Sequence, residues 1–261
     1  MASPPTGPGA WRRRGPTSKA RSSGFQPARR RAHVLRYGQD PELVVRLRLA
    51  HTLWLLGHDR EADREHALAL AAAEESTHPY SRAVVSVWGA ILALDRGEMA
   101  ELRRHVESLR DDVREDAPGQ VRLAAEQFAG YLDVLDGRGK PALGRMRRVQ
   151  EQLMAGPFAP GQPGTATRIL LEGYAVAGEA EAGLTLSDQA LRMGRGAELW
   201  EAEIRRLRAT FLPAVGATAA EVEGELERAL AAAERQGTRA FEERIRGTLA
   251  ERPPRHHRSL E

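Results

Sequence analysis

Apolar side chains recur along this chain at intervals of three and four residues, and no segment from Asp40 onward alternates as a β-strand does. Spacing of this kind places side chains along one face of an α-helix. Five such stripes are Leu43-Leu47-Ala50-Trp54, Val84-Trp88-Ile91, Leu102-Val106-Leu109-Val113, Trp200-Ile204-Leu207-Phe211 and Val222-Leu226-Ala229-Ala233. The pattern predicts an all-α protein.

Glycine follows the apolar end of a predicted helix at regular intervals. The positions are Gly57, Gly97, Gly137, Gly178 and Gly216, which lie 40, 40, 41 and 38 residues apart. Glycine past a helix end adopts the left-handed backbone conformation without the steric cost of a Cβ. Pro41, Pro79 and Pro118 recur at 38 and 39 residues, and proline is well tolerated in the first turn of a helix. Each period therefore predicts a helix, a glycine turn and a second helix.

A helix-turn-helix period near 40 residues is typical of an α-solenoid. We predict about five antiparallel helix pairs of tetratricopeptide-like type over residues 33–252, with a closing helix around 241–249. The predicted helices are 41–56, 59–76, 79–96, 98–116, 118–136, 140–155, 165–177, 180–193, 198–212, 218–236 and 238–250. Three prolines within 156–164 predict an irregular connection that lets two halves of the array flex.

Composition narrows the class of protein further. Hydrophobic and charged fractions of 41% and 29% are ordinary for a soluble globular chain. The absence of cysteine excludes a disulfide framework, a thiolate zinc site and a cysteine nucleophile. The longest uncharged apolar stretch, residues 83–94, is too short to cross a bilayer, so we expect no membrane span and a cytoplasmic protein.

Charge is distributed unevenly along the chain. Residues 1–31 carry eight basic side chains, no acidic one and five prolines, which leaves 31 basic against 36 acidic residues and a net charge of −5 for the rest. Such a segment cannot bury enough apolar surface to offset its ordering entropy. We predict a disordered basic arm over 1–32 and a disordered tail over 253–261. The arm is interpreted as an unstructured extension, as a contact for nucleic-acid phosphates or an acidic partner, or, least well supported, as a transit peptide.

No arrangement of residues in the sequence predicts catalysis, a cofactor or a metal. The chain lacks the G-x-x-x-x-G-K-[ST] and G-x-S-x-G motifs. Glu201 with Arg205 and Glu203 with Arg206 have the spacing of surface ion pairs on a helix. The other candidates are interpreted as surface or packing residues: His51, His58, His66, His78, His105, His256, His257, the acidic helix end Asp111, Asp112, Glu115 and Asp116, and Ser81, Ser86, Ser108 and Ser187. We predict that the protein is not an enzyme.

The tryptophans admit two interpretations. Trp54, Trp88 and Trp200 occupy positions on apolar stripes in the first helices of their pairs. Core packing is favoured, and the alternative is a set of aromatic anchors lining the concave groove of the solenoid.

Three blocks resemble one known family. Tyr37-Gly38-Gln39-Asp40-Pro41 followed by Leu53-Trp54-Leu55-Leu56-Gly57 is the first, His78-Pro79-Tyr80-Ser81 the second, and Trp200-Glu201-Ala202-Glu203-Ile204-Arg205-Arg206-Leu207 the third. They are similar to the carboxy-terminal tetratricopeptide-like region of large bacterial signalling proteins. Those proteins join an ATPase to a nucleotide cyclase or to a DNA-binding activator domain. The chain departs from the family at Ala209, where glycine is usual.

The resemblance implies a region that senses a partner and regulates attached modules, without the modules themselves. We therefore expect a non-catalytic, protein-binding regulatory module, a truncated or detached tail of a bacterial signalling ATPase. A protein or peptide in the concave groove is the expected partner, and nucleic acid is disfavoured. An uncovered apolar face on the first helix predicts self-association. The alternative is a DNA-linked transcriptional regulator that uses the basic arm.

Overall fold

The computed structural model describes residues 40–75, 81–113, 119–156, 162–193 and 198–251, and within these ranges the chain forms eleven α-helices and no strand. The helices are α1 (Pro41–Leu55), α2 (Asp59–Glu74), α3 (Ser81–Arg96), α4 (Met99–Asp112), α5 (Gly119–Leu135), α6 (Gly139–Ala155), α7 (Gln162–Ala177), α8 (Ala180–Met193), α9 (Glu201–Phe211), α10 (Ala219–Gln236) and α11 (Arg239–Ala250). The all-α prediction is confirmed.

Three helices begin or end three or more residues from the predicted positions. Helix α4 ends at Asp112 rather than 116, and Val113 after it has an extended backbone. Helix α7 begins at Gln162 rather than 165, because Pro163 fits the first helical turn and does not prevent helix formation there. Helix α9 is shorter than the predicted 198–212, since 3₁₀ turns at Glu198–Trp200 and Leu212–Val215 occupy its two ends. The predicted basic arm, the tail, Pro79 and Pro118 lie outside the described residues.

The five predicted glycine turns all adopt the left-handed conformation. Their φ angles are 81° at Gly57, 73° at Gly97, 83° at Gly137, 72° at Gly178 and 84° at Gly216. Gly237, which the pattern did not single out, is a sixth, with φ 69°. A side chain would be strained at each of these positions, which explains why the turns recur as glycine.

The helices pack in antiparallel pairs, and each pair contacts the next. Within pairs, α1 packs on α2, α3 on α4, α5 on α6, α7 on α8, and α9 on α10. The first helix of each pair also contacts the first helix of the following pair. We call α1, α3, α5, α7, α9 and α11 the inner helices, because their facing side chains form the centre of the molecule.

The last helix closes the array by packing against the first. Helix α11 contacts α1, and the Trp54 and Phe241 ring centroids lie 5.8 Å apart. Arg244 of α11 also donates a hydrogen bond to the backbone carbonyl of Asp95 in α3. Leu43 and Leu47 of the α1 stripe are each 1% exposed and pack with residues of α2, α3 and α4. Val45 on the same helix is 40% exposed, and self-association through the first helix stays a prediction.

Two histidines pack together between the outer and inner helices. The His66 and His105 rings lie edge to face with centroids 5.7 Å apart. Gly89 of α3 makes room for them, because a Cβ there would lie 2.3 Å from the His105 ring. Burial, followed by the charges of His105 and Arg96, lowers the pKa of His66 to about 4, against the opposing effect of Asp63. Burial and Arg104 also lower the pKa of His105.

Acidification is expected to destabilise the protein through this pair. As the pH falls below 6.5, the unfolded chain binds protons at both histidines before the folded chain does. The contribution of the pair to the free energy of unfolding is therefore fully present above pH 6.5 and is lost as the pH falls toward 4. We expect a loss of about 1–2 kcal/mol between pH 7 and pH 5, measured by urea unfolding. Replacing both residues with glutamine should flatten this slope, whereas His58→Gln, at an exposed turn, should leave it unchanged. If the wild type, the double glutamine variant and His58→Gln all lose the same stability between pH 7 and pH 5, the pair of histidines is not the cause of the loss.

Candidate ligand-binding cavity

A cavity of about 340 Å³ lies among the inner helices. Its walls come from α1, α3, α5, α6, α7 and the 3₁₀ turn that precedes α9. Most of the lining is apolar, and Val44, Val84, Ile91, Val121, Phe128 and Ile169 are representative. The helical periodicity explains the location, because the same stripes that pack the inner helices also face this space.

Two tryptophans line the cavity. Trp200 is almost fully buried, and its Nε1 donates to Thr165 Oγ1 at 3.2 Å. Trp88 is half-buried. Trp54 is buried beside the cavity and packs on Phe241. Core packing is confirmed for Trp54 and Trp200, which are buried. Trp88 and Trp200 also line the cavity, and a role as anchors in a concave groove stays a prediction.

A buried glutamine places an unpartnered acceptor at the cavity wall. Gln127 is 1% exposed, and its Nε2 donates to the carbonyl of Ala166 at 2.9 Å. Because that carbonyl can only accept, the amide is fixed with Oε1 turned away from it. Within the described residues Oε1 has no hydrogen-bond partner. A buried acceptor in this state is costly.

His51 lies at the cavity between three tryptophans. Its ring centroid is 6.0 Å from Trp54, 6.1 Å from Trp88 and 5.7 Å from Trp200. Its Nε2 is 2.8 Å from Asp95 Oδ2. Asp95 is also ion-paired with Arg168, so the carboxylate accepts and Nε2 donates. In a neutral ring, Nδ1 is then an acceptor, and no group of the described chain donates to it.

Arg48 supplies a positive charge at the lining. Its guanidinium carbon lies 5.6 Å from the centroid of the Trp88 ring. The residue is exposed and forms no ion pair with any described residue. The site thus combines apolar walls, aromatic rings, two acceptors and one unpaired cation.

A buried charge network lies directly behind His51. Asp95 and Arg168 are 2.8 Å apart as an ion pair, although the Asp95 Oδ1 and Arg168 Nη2 atoms are not aligned as a hydrogen bond. The network continues through Glu172, Arg206 and Glu203 to Arg244. Three carboxylates thereby face three guanidinium groups, so the formal charges balance. Such a cluster holds the inner helices in one register, because each unpaired member would leave a buried charge.

The pKa shifts in the network follow from these pairings. Burial by itself would raise the pKa of Glu203, but Arg206, Arg244 and Arg168 lower it to about 2. Burial opposes the charge on Arg206, yet Glu203 and Glu172 raise its pKa. Burial likewise opposes the charge on Arg168, and Asp95 and Glu172 raise its pKa. All three groups are therefore charged at neutral pH.

One sequence-based interpretation is wrong. Glu203 pairs with Arg206 at 3.0 Å as the spacing predicts, but Glu203 is fully buried, so the pair is not on the surface. Glu201 and Arg205 do form the predicted pair at 3.0 Å in a more exposed setting. Glu203 faces inward because it follows Trp200 by three residues and precedes Leu207 by four, on the apolar stripe.

The other candidates are scattered. Asp112 pairs with Arg82 and with Ser108, and Ser86 donates to Ser108. Ser187 bonds to a backbone carbonyl of its own helix, and Asp111 and His58 are on the surface. His78, Glu115, Asp116, His256 and His257 lie outside the described residues.

The described part of the chain contains no group of three or more acidic or histidine side chains that could hold a metal ion. No described hydroxyl is hydrogen-bonded to His51. None of the described helices is long and apolar enough to cross a membrane.

Sequence reasoning missed Gln127, Asp95 and Arg168. Asp95 carried a signal, since it continues the Val84-Trp88-Ile91 stripe by four residues. Its partners are 44 residues earlier and 73 residues later in the chain, which no local pattern can connect.

Comparison with known proteins adds no relative. No protein-family model, curated protein or solved structure matches the chain.

Proposed function

We propose that this protein is a non-catalytic regulatory binding module, an α-solenoid of tetratricopeptide-like helix pairs that holds a small ligand among its inner helices. The observation that carries the proposal is the cavity of about 340 Å³, whose mostly apolar walls include the polar side chains of Arg48 and His51. Ligand pockets combine mostly apolar walls with a few convergent polar groups in this way.

The repeat architecture is supported by the regular turns and by the packing between pairs. Left-handed glycines recur near every fortieth residue, and successive inner helices contact each other. A single helix pair could not bury its apolar face, whereas stacked pairs form a continuous core.

Cavity size favours a small ligand over a docked protein. Ligand pockets measure about 300–1,000 Å³, whereas a stable protein interface covers about 800 Å² on each partner. Helix α11 also covers part of the inner face where an open groove for a peptide was expected. We therefore place the small ligand inside, and any protein partner of the regulatory module remains a prediction from the family resemblance. As a regulatory module, the protein would respond to whether the small ligand is bound.

Filling the cavity is expected to abolish ligand binding. Ala124 lines the cavity on α5, so Ala124→Leu places extra methyl groups in the space that a ligand needs. We expect the neutral probe indole to bind the wild type in isothermal titration calorimetry and to bind Ala124→Leu at least about tenfold more weakly. Ala67→Leu, an equal change at an exposed position of α2, is the matched control. Equal binding by all three proteins, or no binding by the wild type, would contradict the proposal.

A further inference from the structure

We infer that the cavity selects a small planar aromatic acid that carries a ring N–H. Its carboxylate would pair with Arg48, and its N–H would donate to an acceptor of the wall. This inference rests on the proposed function, and it names the chemical class of the ligand.

The walls favour an aromatic body. Trp88, Trp200 and Phe128 all face the cavity, and aromatic rings pack well edge to face or offset against one another. A volume of about 340 Å³ equals that of about ten water molecules in the liquid. A bicyclic aromatic ring with a short side chain fits within that space, and a folded domain does not.

The charge at the lining favours an acid. Arg48 has no carboxylate partner among the described residues, whereas Arg46, two residues earlier, pairs with Glu42 and Glu65. The Arg48 guanidinium is held near the face of Trp88 and keeps its hydrogen-bond donors for a ligand. A guanidinium binds a carboxylate through two parallel hydrogen bonds, which adds direction to the attraction.

An acceptor of the wall favours a ligand N–H. No group of the described chain donates to His51 Nδ1, and His51 lines the cavity. The ring is fixed by its other nitrogen, which contacts Asp95. A ligand that lacks the donor would enclose an unpaired acceptor, and rejection of such analogues is strong for that reason.

The two kinds of group are close enough for one small molecule. Arg48 and His51 are three residues apart on α1, so they occupy the same face one turn apart. Side chains at this spacing have Cβ atoms about 5–6 Å apart. A carboxylate on a two-carbon arm can reach Arg48 while the ring stays among the tryptophans.

Three related probes separate the contributions in isothermal titration calorimetry on the full chain. Indole-3-propionate has the ring, the N–H and the carboxylate. Indole-3-propionamide lacks the charge, and 1-methylindole-3-propionate lacks the N–H. We expect each of the two altered probes to bind the wild type about tenfold more weakly than indole-3-propionate.

Variants then assign each difference to a residue. Arg48→Met should remove the preference for the acid over the amide and leave the affinity for the amide within about twofold. Arg64→Met, an exposed arginine of α2, is the matched control and should change neither. His51→Phe, which keeps an aromatic ring and removes Nδ1, should remove the preference for N–H over N-methyl. The comparison of probes on the wild type remains decisive even if His51→Phe does not fold.

The outcomes distinguish this inference from the proposed function. If the amide or the methylated acid binds the wild type as tightly as indole-3-propionate, the ligand class is wrong and the cavity still binds a small aromatic molecule. If neither the three probes nor indole binds, the proposed function fails as well. A preference for the acid that persists in Arg48→Met would overturn the role given to Arg48.

Discussion

Replacing Arg168 with methionine is expected to lower the free energy of unfolding by about 3–5 kcal/mol, because it removes one partner from a buried ion-pair cluster. Arg168 is 1% exposed, pairs with Asp95 and lies 5.3 Å from the Trp200 ring. Without it, two guanidinium groups face three carboxylates, of which Asp95 and Glu203 are fully buried. Methionine fills most of the volume, so the loss reports charge more than packing.

Urea unfolding of matched variants measures this effect. Arg246→Met removes an arginine from α11 that is half exposed and paired with Glu234 and Glu242. That change should cost less than about 1 kcal/mol. Combining Arg168→Met with Asp95→Asn should cost less than the sum of the two single changes, since the second removes the charge that the first leaves unpaired. A loss at Arg168 no larger than the loss at Arg246 would show that the cluster does not hold the inner helices together.

The helices and their turns could be predicted because local rules determine them. Apolar stripes, N-terminal prolines and left-handed glycines act within a few residues, and the structure follows them at Gly57, Gly97, Gly137, Gly178 and Gly216. The start of α7 was missed by three residues because prolines were taken to end helical structure, although proline is tolerated in a first turn.

The closure of the array could not be predicted, because it depends on the angles between successive pairs. Those angles follow from side-chain packing over the whole chain, as where Phe241 meets Trp54. A sequence pattern within one 40-residue period carries no information about the contact between the first helix of the array and the last. The contact of Trp54 with Phe241 is a consequence of this closure.

The candidate site could be predicted only in part. Trp88 and Trp200 were predicted as stripe residues that pack in the core or line a groove, and both line the cavity. His51, Asp95 and Glu203 also occupy stripe positions, but His51 was interpreted as a surface or packing residue, Glu203 as a surface residue, and Asp95 was not singled out. Each is buried because its partner comes from another helix. A polar residue at a position on an apolar stripe thus indicates a buried polar contact with another helix.

The contact between α1 and α11 brings the first and last helices together beside the charge network, and engineered cysteines can test it. A Cβ at Gly57 would lie 3.5 Å from the Cβ of Arg239, and Cβ atoms joined by a disulfide are about 3.5–4.5 Å apart. The chain has no cysteine of its own, so Gly57→Cys with Arg239→Cys introduces the only two thiols. Gly97→Cys with Arg239→Cys is the matched control, because Gly97 has the same left-handed conformation and a Cβ there meets nothing within 4 Å.

After mild oxidation, alkylation and intact-mass analysis, the 57–239 pair is expected to form an intramolecular disulfide in nearly every monomer, whereas the 97–239 pair should keep both thiols free. This result would show that the first and last helices meet in solution. Equal amounts of free thiol in the two proteins would show that the array is open, and would contradict the enclosed centre in which the ligand is placed.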